Sequence, residues 1–230
     1  MIASVHVADI GIGKALRVLR KAPSPSTVRG LRHADVATAA PLGGSALPSP
    51  QPGRVALVAF WDDDAALDAF LADDPLATTL AAGWRVRLEP LRVYGDWPGV
   101  PDDLSRSRAV TESGPAAVLT LGRFRWRRVI PFLRASHRAE VAAVAAPGMT
   151  WATGMARPPF VGTCSLWESG EAAADYAYGQ AAAAHPAAIG ADRAEPFHHR
   201  SAFIRFRPYG SEGSLAGKNA LPEHWLSTAS

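Results

Sequence analysis

A single cysteine in 230 residues, Cys164, excludes an intramolecular disulfide. Its apolar neighbours on a strand-like stretch predict a buried, inert thiol. The longest apolar runs, Ala116 to Leu121 and Val141 to Pro147, are far short of the roughly 18 residues needed to span a bilayer, so no membrane span is expected. The start of the chain has no basic leader followed by an apolar stretch and a small-residue cleavage site, which makes a cytoplasmic address the default expectation. Lysine is confined to Lys14, Lys21 and Lys218, and the formal charge is only +3. The one basic stretch with interleaved aromatics, Arg123-Phe124-Arg125-Trp126-Arg127-Arg128, stands alone, so no nucleic-acid partner is expected. It reads instead as a strand end entering an amphipathic helix, with the arginines solvated and Phe124 and Trp126 in the core.

Common catalytic signatures are also missing. The chain has no G-x-S-x-G, H-E-x-x-H, C-x-x-C or Walker sequence, and no G-x-G-x-x-G opening a helix. Gly11-Ile12-Gly13 lacks a third glycine and reads as a tight strand-to-helix turn. Asp62-Asp63-Asp64 lacks the alternating spacing of a calcium loop and reads as the capped, acidic first turn of a helix.

What is present is a pattern written twice. Val58-Ala59-Phe60-Trp61-Asp62, an Ala-rich helix through Phe70, and Arg87 to Gly95 are answered by Cys164-Ser165-Leu166-Trp167-Glu168, a helix through Tyr178, and Phe203 to Gly210. In the first copy strands are expected over 4–10, 33–40, 54–61 and 84–94, with helices over 14–21 and after Asp62. In the second, strands are expected over 116–124, 149–155, 161–167 and 200–208, with helices over 130–145 and from the Ser169 cap to about 184. The fold class is therefore α+β: two tandem ferredoxin-like β-α-β-β-α-β repeats, residues 1–97 and 115–210, forming an α+β barrel able to enclose a cavity. Residues 98–114 read as a linker and 211–230 as a tail.

Histidine carries the remaining chemistry. The helix after Trp61 breaks at Asp74-Pro75, an N-cap followed by proline at the first helical position, whereas the second copy breaks at His185-Pro186. Histidine is a poor cap, so His185 is either an axial ligand of a haem iron facing a cavity or a solvated or core imidazole. Alternation sends one of His198 and His199 inward, where it can line a pocket or act as a base. His6, His33 and His224 have no evident partners. Trp151, Phe160, Trp167 and Tyr178 are either pocket walls or ordinary core aromatics.

Collinear short motifs add to this reading: Phe60-Trp61-Asp62-Asp63, Leu88-Glu89-Pro90 with Gly95-Asp96-Trp97, Ala117 to Thr120, Pro147-Gly148-Met149, Pro159-Phe160, Ser165-Leu166-Trp167, His185 with Arg193, and Ala202 to Phe206. From about residue 34 to 218 the chain resembles the spheroidene monooxygenase family of carotenoid biosynthesis. The resemblance implies a haem-dependent enzyme that uses dioxygen to oxidise the end group of an acyclic carotenoid, an apolar small-molecule substrate, with an electron donor as partner. It implies His185 as proximal iron ligand and Arg193 as partner of a haem propionate. The chain departs from the pattern at Pro196-Phe197-His198-His199, where only Phe197 is retained, and at Ala156-Arg157, which puts carotenoid specificity in question. A cofactor-free monooxygenase using His198 or His199 as base on an aromatic or quinol-like substrate, and a non-catalytic small-molecule or haem binder, are the alternatives. The chain is expected to be a monomer or homodimer, with peripheral bilayer contact through the region around Trp126.

Overall fold

The computed structural model describes residues 1–42, 51–128, 142–179 and 197–225. Eight antiparallel strands close into one barrel: β1 (Ile2–Asp9), β2 (Leu31–Pro41), β3 (Arg54–Trp61), β4 (Trp84–Gly95), β5 (Ala116–Phe124), β6 (Met149–Arg157), β7 (Phe160–Trp167) and β8 (His198–Gly213). Around the barrel the order is β1-β3-β2-β6-β7-β5-β8-β4, so β4-β1-β3-β2 in the first half and β8-β5-β7-β6 in the second follow the same sequence. The halves are stitched by β2 against β6 and by the long β4–β8 ladder. Closure leaves no edge strand among the described residues.

Alternation along each strand divides the residues between two faces. One set points inward: Val5, Val58, Val86, Leu88, Leu119, Leu121, Cys164, Leu166, Ile204 and Phe206 are all buried there. Trp97, on the loop after β4, closes one end against Phe160, with ring centroids 5.9 Å apart. Trp84 closes the other against Trp151 at 4.8 Å, beneath Leu221 and Trp225. The Trp84 indole N–H donates to Ser211 Oγ and Asn219 Oδ1, tying the C-terminal residues over that end. The expected cavity is thus absent from the described interior, because large side chains from opposite strands meet on the axis.

Helices α1 (Ile12–Arg20), α2 (Asp64–Asp73) and α3 (Pro75–Leu80) cover the outside of the first half. Gly11, with φ +75°, makes the turn from β1 into α1 that the two glycines predicted. Asp63 accepts from Ala66 N–H at 2.9 Å and Asp74 from Leu76 N–H at 2.7 Å, the two caps expected from the sequence. In the second half α4 (Gly170–Tyr178) is capped by Ser169, which accepts from Ala172 N–H at 3.1 Å. That helix stops at Tyr178, short of the expected end near 184, because Gly179 turns to extended backbone as its C-cap; residues 180–184 and most of the expected helix 130–145 lie outside the described residues.

The arginine-rich stretch departs from expectation. Phe124 is buried, but Trp126 is 66% exposed, because the chain leaves β5 in a single helical turn that carries this ring outward. Arg123, expected in solvent, turns into the barrel mouth and ion-pairs with Asp35 at 2.9 Å. No helix among the described residues is long and apolar enough to cross a membrane.

Candidate functional site

The outer face of the second half gathers the polar side chains that packing alone does not explain. Its floor is Val118, Thr120 and Gly122 of β5, Val161, Thr163 and Ser165 of β7, Ala152 and Gly154 of β6, and Phe203 of β8. Except for Gly122 these positions are half-buried, unlike the sealed outer face of the first half. Trp167 walls one side, stacked on Tyr176 of α4 at 5.2 Å, with its indole N–H on Ser165 Oγ at 2.8 Å. Burial pushes the Tyr176 phenol up to about 12, so it is a hydrogen-bonding hydroxyl and not a phenolate at neutral pH.

At the β4–β8 seam Arg92 lies directly opposite Arg205. Both are buried, at 6% and 8% exposure. An Arg92 guanidinium N–H donates to the Tyr178 hydroxyl at 3.4 Å, and the Arg108 guanidinium lies over the Tyr178 ring at 5.0 Å. Arg205 donates to the Ala109 carbonyl at 2.8 Å and approaches Glu112 at 3.6 Å. Desolvation lowers the Arg205 pKa. At the far end of the same face the His198 imidazole lies over Gly122, where a Cβ would fall 2.5 Å from the ring.

The residues singled out from the sequence are therefore divided. Trp167, Tyr178 and His198 share the outer face. Trp151 and Phe160 point into the packed interior from opposite ends. Phe197 is buried where the chain enters β8, and its carbonyl accepts from Arg125 N–H at 2.8 Å. His199 is exposed. His185 and Arg193 lie outside the described residues.

Three constellations went unseen in the sequence. The first is the Arg92–Arg205 pair. The second is at the barrel mouth, where Asp35 accepts from Trp97 Nε1 at 3.2 Å and from Arg123, and lies 2.9 Å from His33 Nε2. The Arg123 guanidinium also sits over Trp97 at 5.3 Å, so this cluster fastens the loop that plugs the barrel. The third is His6, fully sealed beside Ser4 Oγ at 3.0 Å. Burial, then Arg85 and Arg87, lower its pKa to about 3, which keeps the imidazole neutral. Each joins residues far apart in sequence or on faces that alternation alone could not rank. Cys164 is buried as expected, and burial pushes its thiol up to about 12. Among the described residues no cluster of three or more His, Cys, Asp or Glu side chains is placed to hold a metal ion.

No protein-family model matches the chain. The spheroidene monooxygenase of Rubrivivax gelatinosus is 30% identical over 175 residues, which is 74% of this chain and 66% of that protein, just under two thirds of the relative's length. Among solved structures, an aldoxime dehydratase superposes with a TM-score of 0.53 at 10% identity, covering 95% of this chain and 82% of that one. A second, crystallised in complex with butyraldoxime, gives the same TM-score at 8% identity, covering 90% and 79%. The barrel is thus shared with enzymes of very different sequence, while the sequence itself is similar to a spheroidene monooxygenase.

Proposed function

We propose that this chain is an oxidoreductase, a monooxygenase that uses dioxygen to oxidise an apolar polyene of the carotenoid type, with haem as cofactor. The observation that carries this reading is the 30% identity to a spheroidene monooxygenase along 74% of the chain. Residues 1–97 and 115–210 act in it as two tandem ferredoxin-like units joined by 98–114, with the site on the second.

The described residues fit a haem on one surface only. The barrel interior is filled, so a macrocycle has no room there. The outer face of the second half has a half-buried floor of small and apolar residues, an aromatic wall at Trp167 and Tyr176, and buried arginine at its edge. That donor set suits a flat, apolar group bearing carboxylates. In this reading His185, which follows α4 in sequence, would hold the haem iron, and Arg193 would pair with a propionate. Haem supplies the oxygen activation and electron transfer that no side chain provides. The protein's part is to orient the polyene along the floor, exclude water with Trp167 and Tyr176, and keep an imidazole, His198, at the end of the face as a proton donor or acceptor. The substrate is apolar and the electron donor is a separate partner.

The test is the absorption spectrum of protein produced with haem precursor, wild type beside His185→Ala, followed by turnover of an acyclic carotenoid with reductant and ¹⁸O₂. A Soret band altered in the variant, with label in the product, is the expected result. A wild type that stays colourless and iron-free after reconstitution overturns the haem reading.

A further inference from the structure

Strands β4 and β8 carry six arginines, and five of them meet a carboxylate. Arg85 pairs with Glu212, Arg87 with Asp64 and Asp68, Arg200 with Asp96, Arg207 with Glu89, and Arg205 approaches Glu112 at 3.6 Å. Arg92 has no carboxylate within ion-pair distance among the described residues. Yet Arg92 and Arg205 are the most buried of the six, at 6% and 8% exposure. The order is the reverse of what folding alone produces, since desolvating a guanidinium without a counter-charge costs several kcal/mol, on the order of the penalty for any unpaired buried ion. The two face each other across the ladder, so each raises the cost of the other. The Nε atoms of both are sealed and unbonded.

We propose that Arg92 and Arg205, with the Tyr178 hydroxyl, form an anion site that takes a carboxylate of a bound ligand. Arg92, Arg205 and the Arg108 lying over Tyr178, set against Glu112 and Glu171, leave one uncompensated charge, which a single carboxylate neutralises. The planar forks of two facing arginines match its two oxygens. A void of about 10 Å³ on the Glu112 side holds no more than a water. The ligand therefore enters past Tyr178, which is 44% exposed. The buried, unpaired charge is there with or without haem. Whether the carboxylate belongs to the cofactor or to a substrate is for the experiment.

Binding of haemin and haemin dimethyl ester, and of retinoic acid and retinol, is measured by tryptophan quenching for wild type, Arg92→Met and Arg205→Met. The acid of at least one pair is expected to bind about 10- to 100-fold tighter than its uncharged analogue, as for charge-assisted hydrogen bonds. Arg92→Met and Arg205→Met should remove that preference while leaving the analogue's affinity in place. Preference within the haemin pair assigns the site to the cofactor. Preference within the retinoid pair alone assigns it to a substrate, and failure of both haemins to bind then removes the haem reading while the anion site stands. In ligand-free protein, Arg92→Met should raise Tm whereas Arg87→Met lowers it. No preference in either pair, a preference that survives both variants, or a Tm lowered by Arg92→Met as by Arg87→Met overturns the proposal.

Discussion

The two halves of the barrel are built on the same plan and finished differently. Trp61 and Trp167 end the third strand of each half, and each meets a ring nine residues on, Phe70 at 5.0 Å and Tyr176 at 5.2 Å. Each indole donates to a serine hydroxyl, Ser4 or Ser165, and each following helix is capped two residues after the tryptophan, by Asp63 or Ser169. The outward floor then diverges. Val55, Leu57 and Ala59 are sealed at 0% exposure, whereas Val161, Thr163 and Ser165 are half-buried. The first half commits its outer face to helix packing. Among the described residues the second keeps a half-buried floor of small and apolar side chains flanked by arginine. A strand buried on both faces contributes stability, while one left half-covered can bind, and this division puts the candidate face on β5, β6, β7 and β8, with Arg92 of β4 at its edge.

The sharpest way to break this comparison is to truncate the two tryptophans. Trp61→Ala should cost about 3–5 kcal/mol in denaturant unfolding, because helix α2 and the strand beneath it enclose the ring. Trp167→Ala should cost roughly half as much, since its cluster is smaller, while weakening ligand binding on the outer face. Equal losses would remove the distinction between a sealed half and an open one.

The next effect is pH-dependent and belongs to the first half. His6 is held neutral with its pKa lowered from 6.5 to about 3, so between those values the unfolded chain binds a proton that the folded chain refuses. Stability is full above pH 6.5 and falls as pH drops toward 3, by about 1.4 kcal/mol per unit. Replacing His6 by Gln should remove most of that slope between pH 6 and pH 4. A slope unchanged in the variant would assign acid sensitivity to other groups.

Smaller changes probe the open half. Gly122→Ala pushes a methyl against the His198 ring and should cost about 1–3 kcal/mol while shifting the imidazole resonances in an NMR titration. The smallest expected effect is the matched pair Asp63→Ala and Ser169→Ala, each about 1 kcal/mol by thermal unfolding. Similar values would show that the helix starts are equivalent even where the faces they cover are not.

Much of the architecture is legible in the order of residues alone. Periodicity locates the described strands to within a few residues, and strand β8 overruns its expected end at Pro208 because its last residues pair with Trp84 to Arg87 of the neighbouring β4. The caps at Asp74 and Ser169 are legible because they depend on bonds spanning two or three residues. The candidate face is not. His33 and Asp35 are two apart on one strand and share a face by alternation, but Trp97 and Arg123, which complete the cluster, are brought there only by closure.

Local chemistry along the chain settled the elements, their starting caps and the inert cysteine, because each depends on neighbours a few residues apart. Closure of the barrel decided that the interior is solid and that Arg92 faces Arg205 across two strands more than a hundred residues apart in sequence. Composition alone could not reveal that pair, because an arginine's cost depends on what surrounds it once water is excluded, and only the tertiary register sets those surroundings.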